Sequence, residues 1–186
     1  MTSATTLEMA LVGLLRQKPQ SGYDLRKTFA TKAMRHYSDS PGSIYPALRR
    51  LETRGWIAPE AQAGSALENR RGRQVFHLVA AGDAALIEWL GQPVTRDDAI
   101  FRMPELMLRF AYMDGNVPRS TALRFLEDFE QELGVYVAEL RADFDRMSSA
   151  LPINTGLLGF QSGIEVMEAQ LTWVRQARVR LAGESQ

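Results

Sequence analysis

The chain of 186 residues contains no cysteine, which excludes disulfides, thiolate zinc sites and cysteine nucleophiles. Histidine is almost as scarce. Only His36 and His77 occur, and each reads as an ordinary surface or strand histidine. No Gly-x-Ser-x-Gly, His-Glu-x-x-His or phosphate-cradling glycine loop is present. The carboxylates Glu127, Glu130 and Glu132 sit near one another without a partner base and read as a solvated helix face. No enzyme activity, cofactor or metal is therefore expected. The apolar run Met9 to Leu15 is too short to span a bilayer, and Met1 to Thr6 carries no basic residue. The expectation is a soluble cytoplasmic protein with no membrane partner.

Net charge is also lacking, with 22 Lys and Arg against 22 Asp and Glu, but the balance conceals an asymmetry. Residues 1 to 91 hold 12 basic and 8 acidic side chains, a net +4; residues 92 to 186 hold 10 and 14, a net −4. Such a split suits a chain whose front half alone meets a polyanion.

Turning to what is present, Leu7, Leu11, Leu14 and Leu15 recur at helical spacing, so residues 5 to 17 read as a helix stopped by Pro19. Ser21 is the expected N-cap of a second helix with Leu25, Phe29 and Ala33 inward and Arg26, Lys27 and Lys32 elsewhere. The turn Ser38 to Ser43 precedes a third. Ser43 is preferred to Ser40 as its cap, because Pro46 then falls within the first turn, where a missing N–H is tolerated. Ile44, Ala47, Leu48 and Leu51 form its inward stripe, which leaves Tyr45, Arg49, Arg50 and Thr53 outward, and Gly55 ends it. Trp56-Ile57-Ala58 reads as a short strand and Gln74 to Val79 as its hairpin partner. Between them the loop carries Arg70, Arg71 and Arg73. A fourth helix over 81 to 91, with Leu86, Ile87 and Leu90 inward, completes a domain spanning 1–91, followed by a linker over 92–98.

Residues 99–186 show no strand signal. Pro104 opens a helix through Leu106, Met107, Phe110 and Met113 that Gly115-Asn116 breaks. A long helix from Pro118 to about Ser149 carries Leu126, Phe129, Leu133, Val137, Leu140, Phe144 and Met147. The last helix is stricter: Leu157, Phe160, Ile164, Met167, Leu171, Val174, Arg178 and Leu181 alternate steps of three and four. Two such helices pack within one chain or across a dimer. The expected fold is mainly α with a small β-hairpin wing.

Helix, helix, turn, helix, strand, basic loop, strand is the plan of a winged helix-turn-helix. A helix fits the major groove of B-form DNA, its outward side chains reach base edges, and a basic wing reaches phosphates. Arg49 and Arg50 are the candidates for base or phosphate contact; Ser21, Ser43 and Tyr45 are expected to position the head on phosphate oxygens. Lys27 and the loop arginines supply counterion-releasing charge. The rival reading is a winged helix that docks a protein without reading DNA, which would keep its partner when Arg49 and Arg50 become Ala.

The front half resembles the PadR family of bacterial regulators. The resemblance rests on Ser21-Gly22-Tyr23-Asp24-Leu25, on Pro41-Gly42-Ser43-Ile44-Tyr45-Pro46-Ala47-Leu48-Arg49-Arg50-Leu51-Glu52 and on Arg54-Gly55-Trp56-Ile57. A weaker match runs through Gly72 to Leu78 and Ala81-Gly82, where Val79 stands in place of the family's usual threonine. The resemblance implies a homodimer joined by its C-terminal helices, with two recognition helices in successive major grooves of a near-palindromic operator. It also implies repression relieved by a small molecule, in the manner of the larger-tailed members that respond to phenolic acids. Carried over by position, Tyr23, Ser43, Tyr45, Pro46 and Arg49 face DNA with Arg71 and Arg73 beside them, and Leu48, Leu51, Trp56 and Ile57 are core.

For the back half, the expected dimer interface is Leu157, Phe160, Ile164, Met167, Leu171, Val174 and Leu181. Met103, Met107, Phe110, Tyr112, Met167 and Trp173 form an adaptable aromatic-rich set that suits a flat apolar effector, although the same pattern also fits ordinary core packing.

Overall fold

The computed structural model describes residues 4–31, 34, 41–60 and 74–183, so His36 and the loop arginines Arg70, Arg71 and Arg73 lie outside the described residues. The chain divides into two compact units, Met1–Leu90 and Gly91–Gln186.

In the first unit, helix α1 spans Thr6–Gln17 and opens on a capping box, in which Thr5 and Glu8 exchange side-chain and backbone hydrogen bonds. Met9, Leu11, Val12 and Leu15 are at most 2% exposed, while Leu7 and Leu14 of the expected stripe are half-buried. Pro19 is followed by a two-residue strand, β1 (Gln20–Ser21), which the hydrophobic pattern does not announce because two residues hold no periodicity. Helix α2 (Gly22–Phe29) begins on the expected Ser21 cap, whose side chain accepts from the Asp24 N–H. A 3-10 turn, Pro41–Ser43, leads into helix α3 (Ile44–Thr53).

Ser43 occupies the expected N-cap position of α3 without acting as a side-chain cap. It already has right-handed helical angles and makes no side-chain capping bond, because the tightened turn before it uses backbone geometry in place of a cap. Strands β2 (Ile57–Pro59) and β3 (Val75–Leu78) follow, and β3 is the centre of an antiparallel sheet of order β1-β3-β2. Gln20 faces Phe76 and Ile57 faces Leu78 in the register. Pro59 costs no ladder bond to a further strand, since β2 is an edge.

Helix α4 (Ala80–Gly91) buries Leu86, Trp89 and Leu90. Its start is fixed by close approach: a Cβ at Gly82 would fall 2.3 Å from the Trp56 carbonyl oxygen, which accepts the Val79 N–H. Trp56 itself is half-buried beneath the Arg54 guanidinium, 5.3 Å from the ring centroid, and is not the core residue that the resemblance implied.

In the second unit, helix α5 (Arg96–Phe101) begins inside the stretch expected as linker, on a capping box of Thr95 and Asp98. Helix α6 spans Met103–Ala111 with Pro104 in its first turn. Helices α7 (Arg119–Ala150) and α8 (Thr155–Gly183) form an antiparallel pair. Ion pairs step backward along α8 as they advance along α7, from Glu130 with Arg175 and Arg178 to Arg141 with Glu168. Between them lie Phe129, Leu133, Leu157, Ile164, Leu171 and Val174, all buried, and Phe144 packs on Phe160 at 6.1 Å.

The seam expected to join two protomers is thus largely consumed inside one chain. Leu157, Ile164, Leu171 and Val174 are buried, and Phe160, Met167 and Leu181 are partly covered on the same side of α8. Arg178, in that seam, pairs with Glu130 of its own chain at 2.9 Å, so Glu130 is more than a solvated carboxylate.

Candidate nucleic-acid interface

The sequence of α3 sorts its side chains by angle, since successive residues turn 100° around the axis. Ile44, Ala47, Leu48 and Leu51 are inside. Tyr45, Pro46 and Arg49 stand exposed on the opposite side, Tyr45 at 48%. Arg49 and Arg50, adjacent in sequence, part company. Arg50 turns toward α1, where its Nε donates to the buried Glu8 Oε1 at 2.5 Å, while its side chain stays 49% exposed; it ties α3 to α1, a role the sequence pattern did not give it.

The start of α2 comes close beside the start of α3. Ser21, Gly22 and Tyr23 of α2, Tyr45, Leu48, Arg49 and Glu52 of α3, and Gln74 and Phe76 of the wing strand line one notch of about 270 Å³. Gly22 makes the approach possible: a Cβ there would stand 2.7 Å from Tyr45 Cε1. Tyr23 gathers two cations, with Arg26 at 5.4 Å and Lys27 at 6.0 Å from its ring centroid. The exposed Arg49 thus lines a concavity at the N-terminal end of a helix, a place where backbone dipoles favour negative charge, with Lys27 nearby over the Tyr23 ring.

Ser21 is brought to this notch but its side chain is spent. It is 2% exposed, and its Oγ accepts from Asp24 N and donates to Asp24 Oδ2 at 2.6 Å, so its assignment to a phosphate oxygen is corrected to a helix cap. Gln74, Phe76 and Glu52 are lining residues that pattern reasoning passed over. Nothing in their spacing marks them, because they meet only when the hairpin folds back against α3. Glu8 had a signal: a Thr5-x-x-Glu8 box ahead of a leucine-rich run.

In the second unit, Phe110 of α6 meets Trp173 of α8 edge-to-face, with ring centroids 5.7 Å apart, and stacks near Phe125 of α7 at 6.0 Å. Tyr112 is buried at the end of α6, while Met103, Met107 and Met167 are partly covered. Among the described residues no group of three or more His, Asp or Glu is placed to hold a metal, and no helix is long and apolar enough to cross a membrane.

Three helices, a β-hairpin packed against them and a recognition helix with its polar face outward define a winged helix-turn-helix protein. Residues 11–88 match the model of the transcriptional regulator PadR-like family. The match lies within the first unit. It is 28% identical over 152 residues to the negative transcriptional regulator PadR of Bacillus subtilis (strain 168), covering 80% of this chain and 79% of that one. The crystal structure of Bacillus subtilis PadR in complex with operator DNA is similar over 96% of this chain and 99% of that chain, at 21% identity and a TM-score of 0.44. The structure of the same regulator with p-coumaric acid covers 99% of each chain at 21% identity and a TM-score of 0.42.

Proposed function

We propose that this protein is a sequence-specific DNA-binding repressor that works in the cytoplasm as a homodimer and leaves its operator when a small aromatic molecule binds. The observation that carries the reading is the notch where Arg49 and Tyr45 of the recognition helix meet Tyr23 at the start of α2. Arg49 and Tyr45 read or position the major groove; Tyr23, Lys27, Ser43 and Pro46 complete the face, with Arg70, Arg71 and Arg73 reaching phosphates. The name of the Bacillus subtilis relative, a negative transcriptional regulator, supports repression.

Residues 1–91 carry DNA binding and 99–186 carry dimerisation and sensing. With the inner face of α8 packed on α7, the outer face is what remains for a second copy. There Leu158 and Val166 are 55% and 56% exposed and Trp173 stands 38% exposed, in steps of seven or eight residues along one side of the helix. The aromatic contact of Phe110 with Trp173 supports a flat effector held near α6 and α8, as does the p-coumaric acid bound by the Bacillus subtilis protein.

Fluorescence anisotropy against the DNA upstream of its own gene, with an unrelated duplex as control and salt varied, tests the reading. Tight binding to one duplex that weakens steeply with salt is expected. Arg49→Ala should cost about 1 to 3 kcal/mol of discrimination between the duplexes. Equal weak binding to both duplexes would count against a sequence-specific regulator.

A further inference from the structure

Helix α1 carries a carboxylate where its neighbours are apolar. Glu8 lies between Leu7 and Met9, and its side chain is 1% exposed. An ionised carboxylate at that depth persists only when its lone pairs are met by donors, and each oxygen has its own. Oε2 accepts the Thr5 N–H at 3.0 Å and faces Arg54 Nη1 at 3.5 Å; Oε1 accepts Arg50 Nε at 2.5 Å. Two of the three partners belong to the last turn and C-cap of the recognition helix. Arg54 is further held over the Trp56 ring at 5.3 Å.

We infer that Glu8 is a positioning residue for DNA recognition, an inference that rests on the DNA-binding reading above. It fastens the C-terminal end of α3 to the N-terminal turn of α1, and it holds Arg50, whose side chain stays 49% exposed, and Arg54 in ion pairs. Of the three arginines at 49, 50 and 54, Arg49 is then the one offered to DNA. The consequence is selectivity. Guanidinium groups released beside a recognition helix would find phosphates on any duplex and strengthen sequence-independent binding, while α3 without its anchor would present Arg49 less consistently to a base edge. Both effects lower the ratio of specific to non-specific affinity. A buried acid in α1 thus raises selectivity without touching DNA.

The test uses the full chain and two labelled duplexes of equal length, the DNA upstream of its own gene and a random sequence, titrated by anisotropy from about 50 to about 200 mM salt. For Glu8→Gln, which keeps the size of the side chain, the random duplex should bind more tightly and the log–log salt slope should steepen by about 0.9 for each arginine that reaches a phosphate. The preference for the upstream duplex should fall. Arg50→Gln alone should leave the slope at its wild-type value, and Glu8→Gln combined with Arg50→Gln should recover about one such step. Loss of folded protein alone would scale binding to both duplexes equally and leave ratio and slope unmoved, which would overturn the inference. A slope about 0.9 shallower for Arg50→Gln alone would do the same, because Arg50 would then already be on a phosphate. Wild-type protein that binds neither duplex would instead overturn the DNA-binding reading beneath it.

Discussion

Gly22 lies directly beneath the Tyr45 ring, so close that a methyl group at position 22 would come within 2.7 Å of Tyr45 Cε1 and 3.3 Å of Leu48 Cδ1. The helix N-terminus that borders the notch and the tyrosine that overhangs it share one space. Gly22→Ala should therefore displace the Tyr45 ring, which is flexible at its exposed end, before it disturbs the backbone. The gain of about 0.4 to 1 kcal/mol from the lower unfolded-chain entropy of alanine should offset much of the about 0.5 to 1.5 kcal/mol cost of an off-rotamer ring. The melting temperature should change little while affinity for the preferred duplex drops several-fold; unchanged affinity would remove Tyr45 from the DNA face.

Ser21 gives the opposite separation of effects. Its hydroxyl caps α2 through the Asp24 N–H at 3.2 Å and is buried, so Ser21→Ala should lower stability by about 1 kcal/mol, the typical loss for a cap. The salt slope for DNA should not move. Urea denaturation and the slope measured on the same variant decide the matter, and a shallower slope would return Ser21 to the phosphate contacts.

Between α7 and α8 the Arg141 guanidinium makes two hydrogen bonds of 2.6 Å to Glu168. That hydrogen bonding holds the Glu168 carboxyl below its ordinary value of 4.5, with the Coulombic attraction of Arg141 acting in the same direction. A carboxylate whose pKa is depressed on folding adds stability above its unfolded pKa and loses it as pH falls through the folded value. The Glu139 carboxyl, hydrogen-bonded by Arg96, behaves alike. Stability should therefore decline below about pH 4.5, and Glu168→Gln should flatten part of that decline in denaturation curves taken from pH 3 to 7. Both pairs are exposed, so added salt should shrink the difference.

The two faces of α8 predict different failures. Leu171, 7% exposed, packs against α7 near Gly134, and Leu171→Asp should unfold the helical unit by burying an unpaired charge. Val166 faces outward, so Val166→Asp should leave helicity intact in circular dichroism while the proposed dimer dissociates to monomer in analytical ultracentrifugation. A persistent dimer would place the contact elsewhere.

Much of this protein was legible as pattern. The inward stripe of α3 and most of those of α7 and α8 follow from helical spacing, although Met147 at the end of α7 is exposed and α1 buries Met9, Ala10 and Val12 while Leu7 and Leu14 stay half-buried; Ser21 as a cap follows from residue type and position. Their partners were not legible. Periodicity shows that one face of α8 is apolar and is silent on whether α7 or a second copy covers it; α7 covers it, because an antiparallel neighbour joined by a short turn meets it without the entropy cost of bringing together a separate chain. Arg49 and Arg50 look equivalent as letters and diverge by 100° of helix, and it is the buried carboxylate of Glu8, 42 residues earlier, that ties the second of them to α1.

The sequence by itself therefore determined most of the elements, though not β1 or α5, and the winged helix-turn-helix plan, since propensity, capping and hydrophobic period are local properties of the chain. Only the tertiary structure decided which charges stay free for DNA, which apolar stripe stays open, and that Glu52, Gln74 and Phe76 share a notch with Tyr23. Those outcomes depend on contacts between residues far apart in the chain, and distance in sequence carries no record of them.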